Sequence, residues 1–193
     1  MTDPRHAVGA GAVRGMRNGD WMQTFSGRQF WPIDPRPEDV HIEDIAHALS
    51  MLCRYGGHSL RFYSVAEHCC ILHDYAPPEF KAWALMHDAS EAYLVDVPRP
   101  LKPYLTGYKA AERGVMLAVC ARFGLDVEEP PEVKEIDGRI LADEAAQNMA
   151  APPAPWGFYG DPLGVTLHFW PPEEAEAQFL ARAGMAGLSL IET

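Results

Sequence analysis

Three of the four pairs of adjacent prolines in this chain limit where helices can begin. These three pairs stand at residues 77–78, 130–131 and 171–172, and each precedes a segment with helical spacing of apolar residues. Proline is excluded from a helix interior because it lacks an amide hydrogen and clashes with the preceding turn, but it fits the first helical turn. Helices are therefore predicted over about 79–94, 130–149 and 173–183.

Two further segments have the periodicity of amphipathic helices. Apolar residues recur three, four and seven positions apart over 42–52, and residues 110–123 are also amphipathic. Aromatic-rich stretches on either side of Ser26-Gly27 predict a short hairpin, and alternation over 165–170 predicts a short strand.

The segment Ser64-Val-Ala-Glu67 is a capping-box pattern. In this motif the serine side chain caps the first turn, while the glutamate side chain reaches back to the amide of the capping residue. A helix is therefore predicted from Ser64 to about Tyr75, with His68 near its N-terminal end.

The predicted elements amount to five or six helices and at most a small sheet. A chain of 193 residues buries about 70% of its unfolded surface without disulfides or structural metals. Residues 1–20 are rich in Gly, Ala and Arg and lack apolar periodicity, which predicts a flexible N-terminal arm before a domain over 21–193. We expect a mainly α-helical single domain with a small β-hairpin or sheet at its edge.

The net charge limits the classes of molecule that this protein is expected to bind. The net charge of −11, from 16 Lys and Arg against 27 Asp and Glu, argues against duplex nucleic acid, because affinity for it comes mainly from basic residues on phosphates. Residues 54–113 hold seven basic and seven acidic side chains, so an anion site is expected within that balanced segment.

The distribution of apolar residues bears on localisation. No apolar run approaches the roughly 18 residues of a membrane span. The first residues also lack the basic region and apolar run of a secretory signal. We therefore expect a cytoplasmic protein with no membrane partner.

Adjacent His87 and Asp88 interrupt the otherwise apolar segment 79–94. Neighbouring helical residues lie about 100° apart, so an imidazole and a shorter carboxylate can converge on one ion beside the helix. Glu91 lies four residues after His87 and three after Asp88, which places it on the same helix face. A core histidine hydrogen-bonded to a local acid is the alternative explanation of this dipeptide.

Two residues elsewhere extend this pattern. His68 follows the strongly specified helix start, and Asp137 lies among apolar positions that include Ile136 and Ile140. A carboxylate buried without a partner costs several kcal/mol, so a cation is a natural partner for it. A solvated helix face is the alternative for Asp137.

Together these residues resemble the HD-domain phosphohydrolase superfamily. The resemblance is carried by Ser64-Val-Ala-Glu-His68, by the stretch from Leu85 through His87-Asp88, Glu91 and Asp96 to Lys102, and by the stretch from Val133 through Asp137 to Glu144. It spans about residues 40–149 and is closest to bacterial 5′-deoxynucleotidases and related phage deoxynucleoside triphosphohydrolases. The resemblance implies a single-domain HD-type helical bundle.

The resemblance also implies a set of metal ligands, namely His68, His87, Asp88 and Asp137, with Asp143 as a nearby rival for the last position. Two imidazoles and two carboxylates suit one divalent transition metal, Co²⁺, Mn²⁺, Fe²⁺ or Zn²⁺, with Mg²⁺ a poorer match. His58 and His73 match no dinuclear motif, which favours a mononuclear site.

Further roles follow from the same resemblance. Glu91 is expected to position water or protonate the leaving group, and Asp96 to contact the sugar and favour deoxyribose. Arg54 and Lys102 are expected to contact phosphate. Tyr55 stands where relatives place a tryptophan against the nucleoside, a departure that leaves base and sugar selectivity open.

The resemblance leads to three functional hypotheses. The leading one is a metal-dependent hydrolase that converts a deoxynucleoside 5′-monophosphate into nucleoside and phosphate. The first alternative is a deoxynucleoside triphosphohydrolase that releases triphosphate, for example from dATP. The second is a non-catalytic nucleotide-binding regulatory module. Each has a small-molecule nucleotide as ligand, and relatives of this type are often homo-oligomers.

Overall fold

The computed structural model describes residues 17–158 and 160–188. Within these residues the chain forms a two-stranded antiparallel hairpin and seven α-helices, which confirms the predicted mainly helical architecture with a small sheet. The strands are β1 Met22–Gln23 and β2 Gln29–Phe30. The helices are α1 Ile42–Met51, α2 Val65–Tyr75, α3 Lys81–Met86, α4 Glu91–Leu94, α5 Tyr108–Phe123, α6 Pro131–Asn148 and α7 Pro172–Met185.

Helix α2 runs through the middle of the bundle. Every residue from Val65 to His73 is buried, and α2 packs against α1, α3, α6 and α7. A helix surrounded on all sides has no solvated face, so the polar side chains of Glu67 and His68 must find partners inside the protein. His68 therefore enters the interior because its helix is central.

The predicted stop and start signals act as expected at several helix ends. The Ser64 hydroxyl accepts a hydrogen bond from the Glu67 amide at 3.0 Å. Gly124 ends α5 in the left-handed conformation, with φ of 68°, which glycine adopts without steric cost. Helices α6 and α7 begin at the second proline of their pairs.

The second half of the predicted capping box is wrong. The Glu67 side chain does not reach back to the Ser64 amide. Its carboxylate accepts hydrogen bonds from the backbone amides of residues 168–170, at 2.7, 2.9 and 2.7 Å. These three charge-assisted bonds hold a distant segment against α2 and satisfy the buried carboxylate better than one local amide could.

The strand predicted over 165–170 is also wrong. Within the described residues this segment pairs with no strand, and its backbone instead bonds to side chains. Asp143 accepts hydrogen bonds from the amides of residues 163–165. Gln147 bonds to the Val165 carbonyl and the Leu167 amide, and Glu67 accepts from the amides of residues 168–170. Apolar residues alternate along this segment because one side of the extended chain packs on the core.

The helix predicted over 79–94 is interrupted. Helix α3 ends at Met86, and residues 87–90 form a tight turn before α4. The amides of Ala89 and Glu91 donate to the carbonyls of Met86 and Asp88, each at 2.9 Å, which are bonds between residues three apart. Tightening of this kind changes which side chains share a face.

The hairpin lies against α1 and α4. The Phe30 ring stacks on Tyr93 of α4 with centroids 3.7 Å apart, and the Ser26 amide donates to Asp44 of α1 at 2.7 Å. Its main role here is packing.

Of the predicted N-terminal arm, residues 1–16 lie outside the described residues. Arg17 is described, and its guanidinium lies over the Trp31 ring at 4.4 Å from the centroid. Among the described helices, none combines the length and the apolar composition required to cross a membrane.

Candidate metal centre

Side chains from three parts of the fold meet beside α2. His68 comes from α2, His87 and Asp88 from the turn after α3, and Asp137 from α6. Both the His87 Nε2 atom and the Asp137 Oδ1 atom lie 3.2 Å from His68 Nε2. Asp88 Oδ2 lies 3.2 Å from His87 Nε2 and 3.8 Å from His68 Nε2. The structure thus brings together all four residues predicted as ligands.

The other nitrogen of each imidazole is already engaged. His68 Nδ1 lies 2.8 Å from a carboxylate oxygen of Glu144, and His87 Nδ1 lies 2.8 Å from the carbonyl oxygen of Ala84. Since an ionised carboxylate and a carbonyl oxygen only accept hydrogen bonds, each Nδ1 carries the proton. The two Nε2 atoms then face one another at 3.2 Å, and each would present its lone pair to a bound metal ion.

This arrangement fits a divalent cation. Two ionised carboxylates and two imidazole nitrogens this close together require positive charge between them. Without a metal a proton supplies it, because the charge of Asp88 outweighs burial and raises the pKa of His87 well above its ordinary value. Nitrogen and oxygen ligands about 2.1 Å from one ion stand about 3 to 4 Å apart, and the donor-atom separations given above fall in that range. His68, His87, Asp88 and Asp137 are therefore the residues that would hold the metal.

Both candidate carboxylate ligands are ionised. Burial by itself raises the pKa of Asp137, but the hydrogen bond from His68 and the charge of His87 lower the pKa to about 2. Burial is likewise outweighed at Asp88, where His87 holds the pKa below its ordinary value. Both groups are therefore in the charged form that binds a cation.

A thiol lies near this cluster. Cys69, His87 and Asp88 form a second grouping with metal-ligand spacing, and Cys69 Sγ is 3.9 Å from His87 Nδ1. Burial raises the pKa of the Cys69 thiol, which disfavours the thiolate that binds metals. The grouping with Asp137 is the better candidate.

The chain has two relatives of clear similarity. It is 41% identical over 124 residues to the uncharacterized protein YfdR of Escherichia coli strain K12, which covers 64% of this chain and 70% of YfdR. It is 32% identical over 182 residues to the uncharacterized protein RCAP_rcc00048 of Rhodobacter capsulatus, which covers 84% of this chain and 93% of that protein. The chain belongs to the YfdR family. No protein-family model matches the sequence.

Glu91 lies beside the four candidate metal ligands of this YfdR-family chain as a neutral acid. In the tight turn 87–90, residues three apart eclipse one another, so Glu91 follows Asp88 on the same side. Burial, followed by the charges of Asp88 and Asp96, raises the pKa of Glu91 to about 9. Its buried Oε2 has no hydrogen-bond partner among the described residues. Glu91 therefore carries a proton near neutral pH in the metal-free protein.

Arg54 lies next to the cluster and is almost fully buried. The backbone of Cys53 bridges to Ser64, and the Arg54 amide donates to the Tyr63 carbonyl at 2.9 Å, which holds this turn against the start of α2. The Arg54 Nη1 atom is 3.5 Å from Asp88 Oδ2. The Arg54 Nη2 atom is 3.2 Å from Glu144 Oε2, so the guanidinium lies between two carboxylates beside the cluster.

Tyr55 follows in the left-handed conformation, with φ of 58°. This conformation is uncommon for a residue with a Cβ atom, and here it turns the phenol toward the interior, where the hydroxyl donates to Glu144. Tyr55 is half-buried, and its hydroxyl bonds the same carboxylate that contacts His68.

Two of the predicted residues lie on the loop after α4. Asp96 is partly buried, and Lys102 pairs with Glu112 through a contact of 2.8 Å. The charges of Asp96 and Lys102 act on the Glu91 pKa in opposite directions. Lys102 therefore already has an anionic partner within the protein.

Asp143 does not join the cluster. Its carboxylate accepts from the amides of Leu163, Gly164 and Val165, at 2.7, 3.0 and 3.1 Å. It faces the extended segment on the other side of α6, so Asp137 is the aspartate of α6 that reaches the metal ligands.

Sequence reasoning missed Glu144, which is fully buried. Burial raises its pKa, but Arg54 and His68 outweigh this effect and lower the pKa to about 2. The available signal was its spacing of seven residues from Asp137, because residues two helical turns apart share a face.

Trp156 was also missed, because it lies in a loop without periodicity. Its ring centroid is 6.4 Å from that of Tyr55, and the side chain is 42% exposed. Phe158 continues the same aromatic group, with its centroid 5.9 Å from Trp156.

Proposed function

We propose that this protein is a metal-dependent phosphohydrolase acting on a nucleotide phosphate ester, as the resemblance to HD-domain phosphohydrolases implies. The observation that carries the proposal is the convergence of two facing imidazoles and two ionised carboxylates, His68, His87, Asp88 and Asp137, at one place. A divalent ion bound there would supply Lewis-acid polarisation of a phosphoryl oxygen and a bound water of lowered pKa.

The protein's own side chains supply the remaining chemistry. Arg54 binds a non-bridging phosphate oxygen, because its planar guanidinium matches phosphate geometry. Glu91, with its raised pKa, donates a proton to the oxygen that leaves the phosphorus. Asp96 accepts a hydrogen bond from the sugar.

The preferred substrate is a deoxynucleoside 5′-monophosphate. Water adds to the phosphorus, the bond from phosphorus to the 5′ oxygen breaks, and the 5′ oxygen takes up a proton to give nucleoside and orthophosphate. Arg54 lies at the cluster, paired with Asp88 and Glu144, while Lys102 pairs with Glu112. This limited supply of cationic groups favours a short anionic group over a triphosphate. The triphosphate reaction breaks the same bond and differs in the length of the anion that must be accommodated.

A metal-reconstituted substrate panel tests the proposal. The protein is stripped with a chelator, loaded separately with Co²⁺, Mn²⁺, Fe²⁺, Zn²⁺ or Mg²⁺, and incubated with deoxynucleoside mono-, di- and triphosphates. Phosphorus NMR then identifies the product. Orthophosphate from monophosphates supports the proposal, and inorganic triphosphate supports the alternative. If no nucleotide gives metal-dependent product, the enzyme proposal is wrong, and binding without turnover would favour the regulatory module.

A further inference from the structure

Helix α6 carries the two acids that contact the two ring nitrogens of His68. Asp137 Oδ1 lies 3.2 Å from Nε2 and Glu144 Oε1 lies 2.8 Å from Nδ1, and both acids belong to α6. Seven residues separate them, a rise of about 10 Å along one helix face. The imidazole of His68 therefore spans the gap between two carboxylates carried on the same rigid element.

The second oxygen of Glu144 serves a different group. Oε2 accepts from Arg54 Nη2 at 3.2 Å and from the Tyr55 hydroxyl. These are the residues expected to face the phosphate and the nucleoside. A single buried carboxylate thus contacts both the metal-ligand side of the site and the substrate side.

We propose that Glu144 is a positioning residue that couples the two halves of the site. Through Oε1 it fixes the ring orientation and the Nδ1-protonated tautomer of His68, so that Nε2 presents a lone pair to the metal. Through Oε2 it holds Arg54 and Tyr55 at a constant distance from that metal. The substrate half of this inference rests on the proposed function, whereas the metal half does not.

The environment of Glu144 explains why a neutral replacement would fail. The side chain is fully buried, so solvent is not available to replace a lost hydrogen bond. An amide has only one accepting oxygen and adds two donors. In Glu144→Gln, the amide nitrogen must therefore point its donors at other donors, either the His68 Nδ1–H group or those of Arg54 and Tyr55.

The test measures Co²⁺ binding to the full-length chain. Glu144→Gln should weaken Co²⁺ affinity about 10- to 100-fold, the usual effect of removing a carboxylate behind a metal-bound histidine, and should shift the visible absorption of bound Co²⁺. Tyr55→Phe removes only an Oε2 contact, so it should leave Co²⁺ affinity unchanged and raise KM for deoxynucleoside monophosphates.

Asp143→Asn is the matched control for loss of a buried carboxylate. Asp143 precedes Glu144 on α6 but binds the segment 163–165. This variant should lose stability yet bind Co²⁺ with wild-type affinity and spectrum, which separates destabilisation from a specific effect on His68.

Unchanged Co²⁺ affinity and spectrum in folded Glu144→Gln would overturn the proposal. If that variant does not fold, nitrogen NMR of the wild-type histidines with diamagnetic Zn²⁺ bound decides, because metal-bound His68 must carry its proton on Nδ1. An Nε2-protonated His68 would contradict the inference. Failure of the nucleotide proposal would appear instead as wild-type protein that binds Co²⁺ normally but hydrolyses no nucleotide.

Discussion

The Nε2 atoms of His68 and His87 lie 3.2 Å apart, and each ring donates its Nδ1 proton away from the other. A divalent cation that binds both nitrogens would replace the proton that His87 otherwise holds beside Asp88. A ligand that binds only the folded state stabilises it, so metal occupancy should be visible in thermal unfolding.

Metal addition should raise the Tm of the chelated wild-type protein. At a free metal concentration about 100 times Kd, the stabilisation is about 2.7 kcal/mol. Asp137→Asn removes a charged ligand at a partly exposed position, and should fold but lose most of the Tm shift. Differential scanning fluorimetry with and without Co²⁺ measures both, and a full shift in Asp137→Asn would exclude Asp137 as a ligand.

Asp143→Asn should have the opposite pattern. It replaces a carboxylate that accepts three backbone hydrogen bonds, and charge-assisted bonds of this kind each contribute about 1.5 to 3 kcal/mol. We expect the free energy of unfolding in urea to fall by about 2 to 4 kcal/mol, with the Co²⁺-induced Tm shift retained. Loss of that shift would restore Asp143 as a candidate ligand.

Glu91 should make the metal-free protein less stable at alkaline pH. Its pKa is raised from 4.5 to about 9, so the folded state holds the proton more tightly than the unfolded chain. Stability is therefore lost as the pH rises through this window, by up to about 1.4 kcal/mol per pH unit.

Glu91→Gln does not titrate and should lack this slope. Both metal-free proteins are unfolded in urea at about pH 5 and about pH 8. From the lower to the higher pH, the free energy of unfolding of the variant should rise relative to that of the wild type by up to about 4 kcal/mol. Parallel pH dependence of the two proteins would show that Glu91 has an ordinary pKa.

Val95 holds the loop after α4 in a strained conformation. With φ of 61° and ψ of 160°, it occupies a region that is almost restricted to glycine and costs about 1 to 3 kcal/mol. Its amide donates to the Glu91 carbonyl at 2.8 Å, and its carbonyl accepts from Tyr108. These bonds maintain the strain next to Asp96.

Val95→Gly should therefore stabilise the protein by about 1 kcal/mol, because relief of strain exceeds the added flexibility of the unfolded chain. Val127→Gly is the matched control, since Val127 is equally exposed, 53% against 54%, without a positive φ. It should lose about 0.5 to 1 kcal/mol in the same urea titration. Destabilisation of both variants alike would mean that Val95 is unstrained.

Trp156 should contribute to binding of the nucleobase. Its ring lies beside Tyr55 and is half exposed, and stacking of a base on an aromatic side chain contributes about 1 to 3 kcal/mol. Trp156→Ala should raise KM for nucleoside monophosphates about tenfold, or 1.4 kcal/mol, without changing KM for deoxyribose 5-phosphate. Trp21→Ala, at a similarly exposed hairpin tryptophan, should change neither, and equal losses on both substrates would refute a role in base binding.

Local signals located most of the helices. Proline pairs, the Ser64 cap and Gly124 act within a few residues of themselves, so they operate before any tertiary contact forms. The prediction failed where a distant partner competes with a local one. Glu67 left its predicted partner because three amides of residues 168–170 offer a stronger site.

By itself, the sequence determined a mainly helical chain and the residue types of the candidate site, because periodicity and the His87-Asp88 pair are local properties. Only the tertiary structure decided that Asp137 rather than Asp143 meets the imidazoles, and that Glu144 lies behind His68. Those choices depend on how α6 is rotated against α2. That rotation is set by packing of the whole core, to which no single segment of sequence corresponds.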